Sequence, residues 1–413
     1  MTNIKTVRKE YSEFQESDYQ AIMGICHKVF DGPDHAFINE FIRKTPFRDE
    51  NCAFFAYDNE RLVGFVHLVD TPMDYFGEEL KSCELAIVAT DPAYQKMGVS
   101  SRLTAMFMEE VDKKGYASIF IQGIPYFYRR FGFHYAVPMH SGEFNFEETE
   151  NSKQNHDNIV EASSEETEFL YDQCLEAREQ KPGIYRYRTK SLIRQSLTDY
   201  ESLDLKKFYY IVMDNREKKG YFCLKNDPEH VNLEEISEMS AHEYEKVYRF
   251  LREKASEKGK ILLNVPKVSS FVDYLQKLSE KGEGTLKKDL GDYAWQVLVP
   301  DYLRFFEAIK PVLENNVAHS EFKDSTIRFD FNTYGELIEF NIKNSKIELK
   351  RKPWQLTWDI NIPPQALVKM IFDNFSVEEL APIIPDLIIK KKELRQLFKI
   401  LFPKRPVHFY QGY

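Results

Sequence analysis

One stretch constrains the fold more than any other. An apolar run, ELAIVAT (84–90), leads through the polar loop DPAYQKMGVS (91–100) into a helical pattern, and a second apolar run, ASIFIQ (117–122), follows. A short apolar run bounded by turn residues suits a central strand. Leu103, Phe107, Met108 and Val111 recur at helical spacing over about 99–113, and Gly115 stops the helix. The order is therefore strand, loop, helix, strand, with Gly98 at the helix start. Such a loop suits a pyrophosphate. Gly98 lets the backbone approach closely, free N–H groups at the helix start point at the anion, and the helix dipole adds partial positive charge. Lys96 adds a side-chain charge. The pattern alone is weak, because many ordinary strand-to-helix connections carry one glycine.

The surrounding elements predict a mixed α+β chain. Residues 4–11 alternate as a strand. Ser17-Asp18 is placed to cap a helix over about 18–30, with Ile22, Ile25, Val29 and Phe30 on one face, and Asp31-Gly32-Pro33 breaks it. CAFFAY (52–57) and RLVGFVHLV (61–69) form a hairpin across Asp58-Asn59-Glu60. Residues 141–160 turn polar and mark a junction. A second region then repeats the order: helices at about 165–179 and 187–197, a hairpin over 206–226, a strand near 231–238, a helix over 241–257, a strand at 260–265 and a helix near 269–280. Its strand-to-helix connection, EMSAHEYEKVY (238–248), has no glycine. From about Tyr293 a third region starts with a strand running into a helix (294–315). Three strands follow at 326–331, 335–342 and 346–350, then helices at about 363–375, 376–381 and 391–402. A length of 413 residues fits three domains.

Composition removes several functions. The chain has 56 Lys+Arg against 66 Asp+Glu, a net charge of −10, which argues against general nucleic-acid binding and permits cationic partners. Five cysteines, widely spaced and without a CxxC pair, read as reduced thiols of a cytoplasmic protein. The N-terminus MTNIKTVRKEY has no apolar core of a signal peptide, and no apolar run reaches the roughly 20 residues of a membrane span. The ten histidines form no HxxxH pair or Cys/His cluster, so no metal is expected. No GxSxG elbow is present.

After the second apolar run comes Tyr126-Phe127-Tyr128-Arg129-Arg130-Phe131-Gly132-Phe133. With the QxxGxS loop and its flanking elements, this segment resembles the acetyl-CoA-binding half of GNAT-type N-acetyltransferases. The family's loop ends in Gly or Ala where Ser100, also small, stands here. The three-part layout resembles the enhanced-intracellular-survival (Eis) group. That group has an active GNAT domain, a degenerate GNAT-like domain and a C-terminal domain of the sterol-carrier-protein type, whose opening VLVPDYLRFFEAIKPVL resembles. The resemblance implies domains over 1–140, 141–292 and 293–413, two of them mixed-sheet GNAT-like folds and the third α+β.

It also implies a reaction: acetyl-CoA acetylates a primary amine by direct attack in a ternary complex. A bulged strand would offer the backbone of Val88, Ala89 and Thr90 to the pantetheine arm. Gln95, Lys96, Met97, Gly98, Val99, Ser100 and Ser101 would hold the pyrophosphate. Tyr128 matches the family's proton donor to the leaving thiolate. Two bases stay open: the α-carboxylate of Tyr413, and Glu84 acting through water. The stretch from Phe30 to Phe47 corresponds to a wall of the acceptor site. Asp31, Asp34, Phe37 and Phe41 there suit a cationic amine, such as an aminoglycoside-like polyamine or a lysine side chain. Relatives of this kind form homo-oligomers. Two non-enzymatic alternatives are a lipid-binding scaffold using the third domain and an acetyl-CoA-sensing interaction module. The retained loop and Tyr128 favour the enzyme.

Overall fold

The structure is a computed structural model that describes residues 4–45, 49–138, 142–147, 158–181, 183–198, 206–226, 230–255, 259–266, 269–288, 293–373, 375–404 and 407. The first region holds β1 (Ile4–Glu10), α1 (Glu16–Val29), α2 (Gly32–Lys44), β2 (Cys52–Asp58), β3 (Arg61–Asp70), β4 (Met73–Tyr75), β5 (Glu78–Leu80), β6 (Ser82–Thr90), α3 (Val99–Lys114), β7 (Ser118–Ile121) and β8 (His134–Pro138). β2 and β3 are apolar on both faces because both faces are covered. Phe55 and Phe65 pack with Ile22 and Phe41 under α1 and α2, while Phe54 and Val66 pack with Leu103, Phe107 and Val111 of α3.

Local chemistry differs from the sequence expectation at two helix starts. α1 begins earlier, on a capping box between Gln15 and Asp18, not on Ser17-Asp18. Asp31-Gly32-Pro33 does end α1, but it also opens α2, since a proline in the first helical turn needs no N–H partner.

The second region holds β9 (Gly142–Phe146), β10 (Ile159–Glu161), α4 (Thr167–Gln180), β11 (Ile184–Arg186), α5 (Lys190–Thr198), β12 (Lys207–Asp214), β13 (Glu217–Asn226), β14 (Val231–Ile236), α6 (Ala241–Lys254), β15 (Lys260–Leu263), α7 (Ser270–Glu280) and β16 (Gly284–Lys287). The third holds β17 (Ala294–Leu298), α8 (Tyr302–Ala308), α9 (Lys310–Ala318), β18 (Thr326–Asn332), β19 (Leu337–Lys343), β20 (Lys346–Lys352), β21 (Ile360–Asn361), α10 (Pro364–Phe372), α11 (Val377–Leu380), β22 (Ile388–Ile389) and α12 (Lys392–Leu401).

Four sheets result. Their orders are β1-β2-β3-β6-β7-β17-β8, β10-β12-β13-β14-β15-β9-β16, β11-β4-β5 and β20-β19-β18-β21-β22. The strand expected to open the third region, β17, lies inside the first sheet. It pairs antiparallel with β7 and with β8. Trp295, Gln296 and Val297 are all buried, which suits an interior strand covered on both faces. The short sheet fastens the second region to the first, because β11 pairs antiparallel with β4. One large apolar core joins Phe120 and Val137 of the first sheet to the third region, where the Phe372 ring of α10 meets Phe120 edge-on at 5.8 Å.

A fragment ending at residue 140 therefore lacks an interior strand of its own sheet. Such a fragment is expected to lose cooperative unfolding, followed by circular dichroism, and to regain it when residues 293–413 are co-expressed. Cooperative unfolding of the isolated fragment would contradict this pairing.

Candidate active site

In the pairing of β3 with β6, Val66 stands opposite Val88 and His67 opposite Ala86. Ile87 is left over as a β-bulge, with φ of +33°. That angle is rare for a β-branched residue and stores strain, which persists only where the surroundings enforce it. Below the bulge, β6 and β7 pair in parallel over Ser82–Glu84 and Ser118–Phe120. Beyond it they flank a cavity of about 540 Å³. Leu85, Ala86, Ile87 and Val88 form one side of it, and Ile121 to Ile124 with Tyr128 form the other. The end of α1 and one face of α2 close a third side.

Tyr128 is 5% exposed and opens a short helical turn that Gly132 ends at φ +91°. Gly123 makes room for it: a Cβ there would lie 2.3 Å from the Tyr128 ring. Gln296 on β17 donates from Nε2 to the Tyr293 hydroxyl (2.6 Å) and to the Gly123 carbonyl (3.4 Å). Burial, with Tyr293 adding, pushes the Tyr128 phenol up to about 12, so it keeps its proton at neutral pH.

At the far end of β6, Asp91 anchors the loop. Lys28 Nζ and Arg61 Nη2 both donate to its Oδ2 at 2.7 Å, and the Ala93 N–H donates to Oδ1. The Lys28 hydrogen bond leads in holding this carboxyl at about 2. Residues Gln95, Lys96, Met97 and Gly98 are exposed, Val99 is buried, and Ser100 and Ser101 lie on the first turn of α3. Gly98 is the N-cap, at φ +79°, and its side offers α3 no side-chain cap. A Cβ at Gly98 would meet nothing within 4 Å. Glycine is thus selected here by backbone angle, and the space beside it is open to a ligand.

The second sheet carries the same device in altered form. Glu234 is bulged out of β14 between Leu233 and Glu235. Asn264, just past β15, donates from Nδ2 to Glu234 Oε1 at 2.6 Å, and both residues are buried. α6 starts on a capping box in which Glu243 accepts from the Ser240 N–H and hydroxyl. A carboxylate already occupies that helix start.

The predicted residues divide clearly. Glu84, Val88, Tyr128, Asp34, Phe37 and Phe41 share the cavity wall. Ala89 and Thr90 continue β6 from the wall towards the loop, and Asp31 is the N-cap of α2, off the wall. Tyr413 lies outside the described residues. Among the wall residues that sequence reasoning missed, three come from beyond the first region: Arg186, Lys225 and Trp295. Arg186 Nη2 donates to Glu84 Oε2 at 3.2 Å, across 102 residues of chain, and its guanidinium lies 5.2 Å from the Trp295 ring centre. No local spacing signals these residues, since β11, β13 and β17 bring them in through tertiary pairing alone.

The Acetyltransferase (GNAT) domain family matches residues 10–136. The uncharacterized N-acetyltransferase YhbS of Escherichia coli (strain K12) is 30% identical over 121 residues, 29% of this chain and 70% of that protein. Among solved structures, the GCN5-related N-acetyltransferase from Anabaena variabilis aligns over 99% of this chain and 100% of its own, with TM-score 0.69 at 11% identity. Eis1 from Mycobacterium abscessus aligns over 99% and 100%, with TM-score 0.60 at 13% identity, a likeness of fold. With that family match over the first sheet, its bulged strand and its glycine loop, the chain belongs to the GNAT N-acetyltransferases.

Proposed function

We propose that the chain transfers acetyl from acetyl-CoA to a primary amine held in the cavity beside Ile87, with Tyr128 as the proton donor. One observation carries this reading. A buried, protonated phenol faces the bulged strand across the opening between β6 and β7. Acetyl-CoA, the co-substrate of the family, supplies the activated acyl group. The backbone from Val88 to Thr90, beyond the stretch of β6 that pairs with β7, binds its amide arm, and residues 95–101 at the uncapped start of α3 receive its pyrophosphate. A backbone N–H at the bulge would stabilise the oxygen that gains charge during attack. Tyr128 protonates the departing sulfur.

The base is one of two carboxylates. Glu84 lies on the wall but is engaged by Arg186. The alternative is the Tyr413 carboxylate. The second region reads as a copy of the first without its ligand sites, filled by Asn264 with Glu234 and capped by Glu243. The third reads as the sterol-carrier-like domain. Among the described residues no helix is long and apolar enough to cross a membrane. A cytoplasmic homo-oligomer completes the reading.

Tyr128→Phe is expected to lower kcat about 100-fold or more, with KM for acetyl-CoA changed only a few-fold. Because the phenol sits near 12, the wild-type kcat should show no alkaline loss from this group up to about pH 11. An unchanged kcat in Tyr128→Phe removes Tyr128 from the chemistry. Extending the chain past Tyr413 should abolish activity if its carboxylate is the base, and full activity in an uncleaved extended chain assigns the role to Glu84.

A further inference from the structure

The cavity's charges narrow the acceptor. Among the described residues four charged side chains line it: Asp34, Glu84, Arg186 and Lys225. Glu84 and Arg186 are paired to each other, with side chains 11% and 8% exposed. Asp34 is exposed on the first turn of α2. Lys225, near the end of β13, is half-buried, and its side chain makes neither hydrogen bond nor ion pair among the described residues. The acid on its own sheet whose field it feels is Glu234, which burial pushes towards its neutral form and which Asn264 already engages. Among the described residues the cavity thus presents one unpaired ammonium, Lys225, and one unpaired carboxylate, Asp34, to whatever fills it.

We propose that the acceptor is a small amino acid, an amine that also carries a carboxylate, and that Lys225 receives the carboxylate. This rests on the acetyl transfer proposed above. A polycation has only Asp34 to pair with and would set its remaining charges against Lys225 in a partly desolvated site, where like charges repel strongly. A carboxylate on Lys225 forms a charge-assisted hydrogen bond instead. The apolar wall from Phe37, Ile38 and Phe41 suits the methylenes between the two groups, and a volume of about 540 Å³ fits a small molecule. The net charge of −10 belongs to the surface at large and does not describe this cavity.

Matched acceptors test the idea, because each pair shares an amine and differs by one carboxylate: L-lysine with cadaverine, L-ornithine with putrescine, β-alanine with ethylamine. CoA release is measured for each with wild type, Lys225→Met and Lys225→Arg. The carboxylate member is expected to lead by about ten-fold or more in kcat/KM, chiefly through KM. Lys225→Met should erase the lead and Lys225→Arg should keep most of it. Equal or better turnover of the decarboxylated members by wild type overturns the proposal, as does a lead that survives in Lys225→Met. Should no pair be acetylated although acetyl-CoA binds, the transfer reading itself fails for these amines. Calorimetry on the CoA complex then decides the present proposal. Tighter binding of L-lysine than cadaverine, lost in Lys225→Met, supports it, and equal or weaker binding overturns it.

Discussion

The bulge at Ile87 is the constraint on which the site depends. A regular β6 would continue its parallel ladder with β7 and leave no opening between them. One extra residue against β3 breaks that continuation and puts Val88 and Tyr128 on the wall of one cavity. A β-branched side chain at φ +33° is an expensive way to build a strand, so the neighbouring structure must hold it. β3 holds it through a register that resumes on both sides, and buried Phe65 and Ala89 face each other just beyond it. The remaining machinery is supporting. Gly123 admits the Tyr128 ring, Gln296 ties the Gly123 turn to β17, and Asp91 fixes the root of the loop.

The two bulged sheets show how little separates an opened strand pair from a filled one. Each has a bulge in the strand before its helix, at Ile87 and at Glu234. In the first, the helix starts on a left-handed glycine with no side-chain cap, so its N–H groups remain available to a phosphate. In the second, Glu243 brings its own negative charge to the helix start, and Asn264 reaches Glu234 across the parted strands. Both substitutions use short-range hydrogen bonds to consume what a ligand would otherwise bind.

Much of this was legible in the sequence because it is local. The β6 run, the α3 periodicity, Gly98 and Gly115 as helix boundaries, and the three strands of the last meander follow from period and turn chemistry within a few residues. The short strands β4 and β5 escaped, since three residues carry no period. The sequence at β17 reads as a strand, but its neighbours in the first sheet lie more than 150 residues earlier, beyond any local signal. The same holds for the cavity. Asp34, Phe37 and Phe41 line it from α2, while Arg186 and Lys225 arrive through β11 and β13. Their cations stand beside the carboxylates of Asp34 and Glu84, and a pocket's field is set by the few groups that line it, not by the net charge of the chain.

The central claim is that one opened strand pair, built on the Ile87 bulge, holds acetyl-CoA in each chain. Calorimetric stoichiometry tests this most directly. One acetyl-CoA per chain is predicted, with binding lost when Ile87 is deleted and the β3–β6 register closes. Two per chain, or unchanged binding in the deletion variant, would contradict the account.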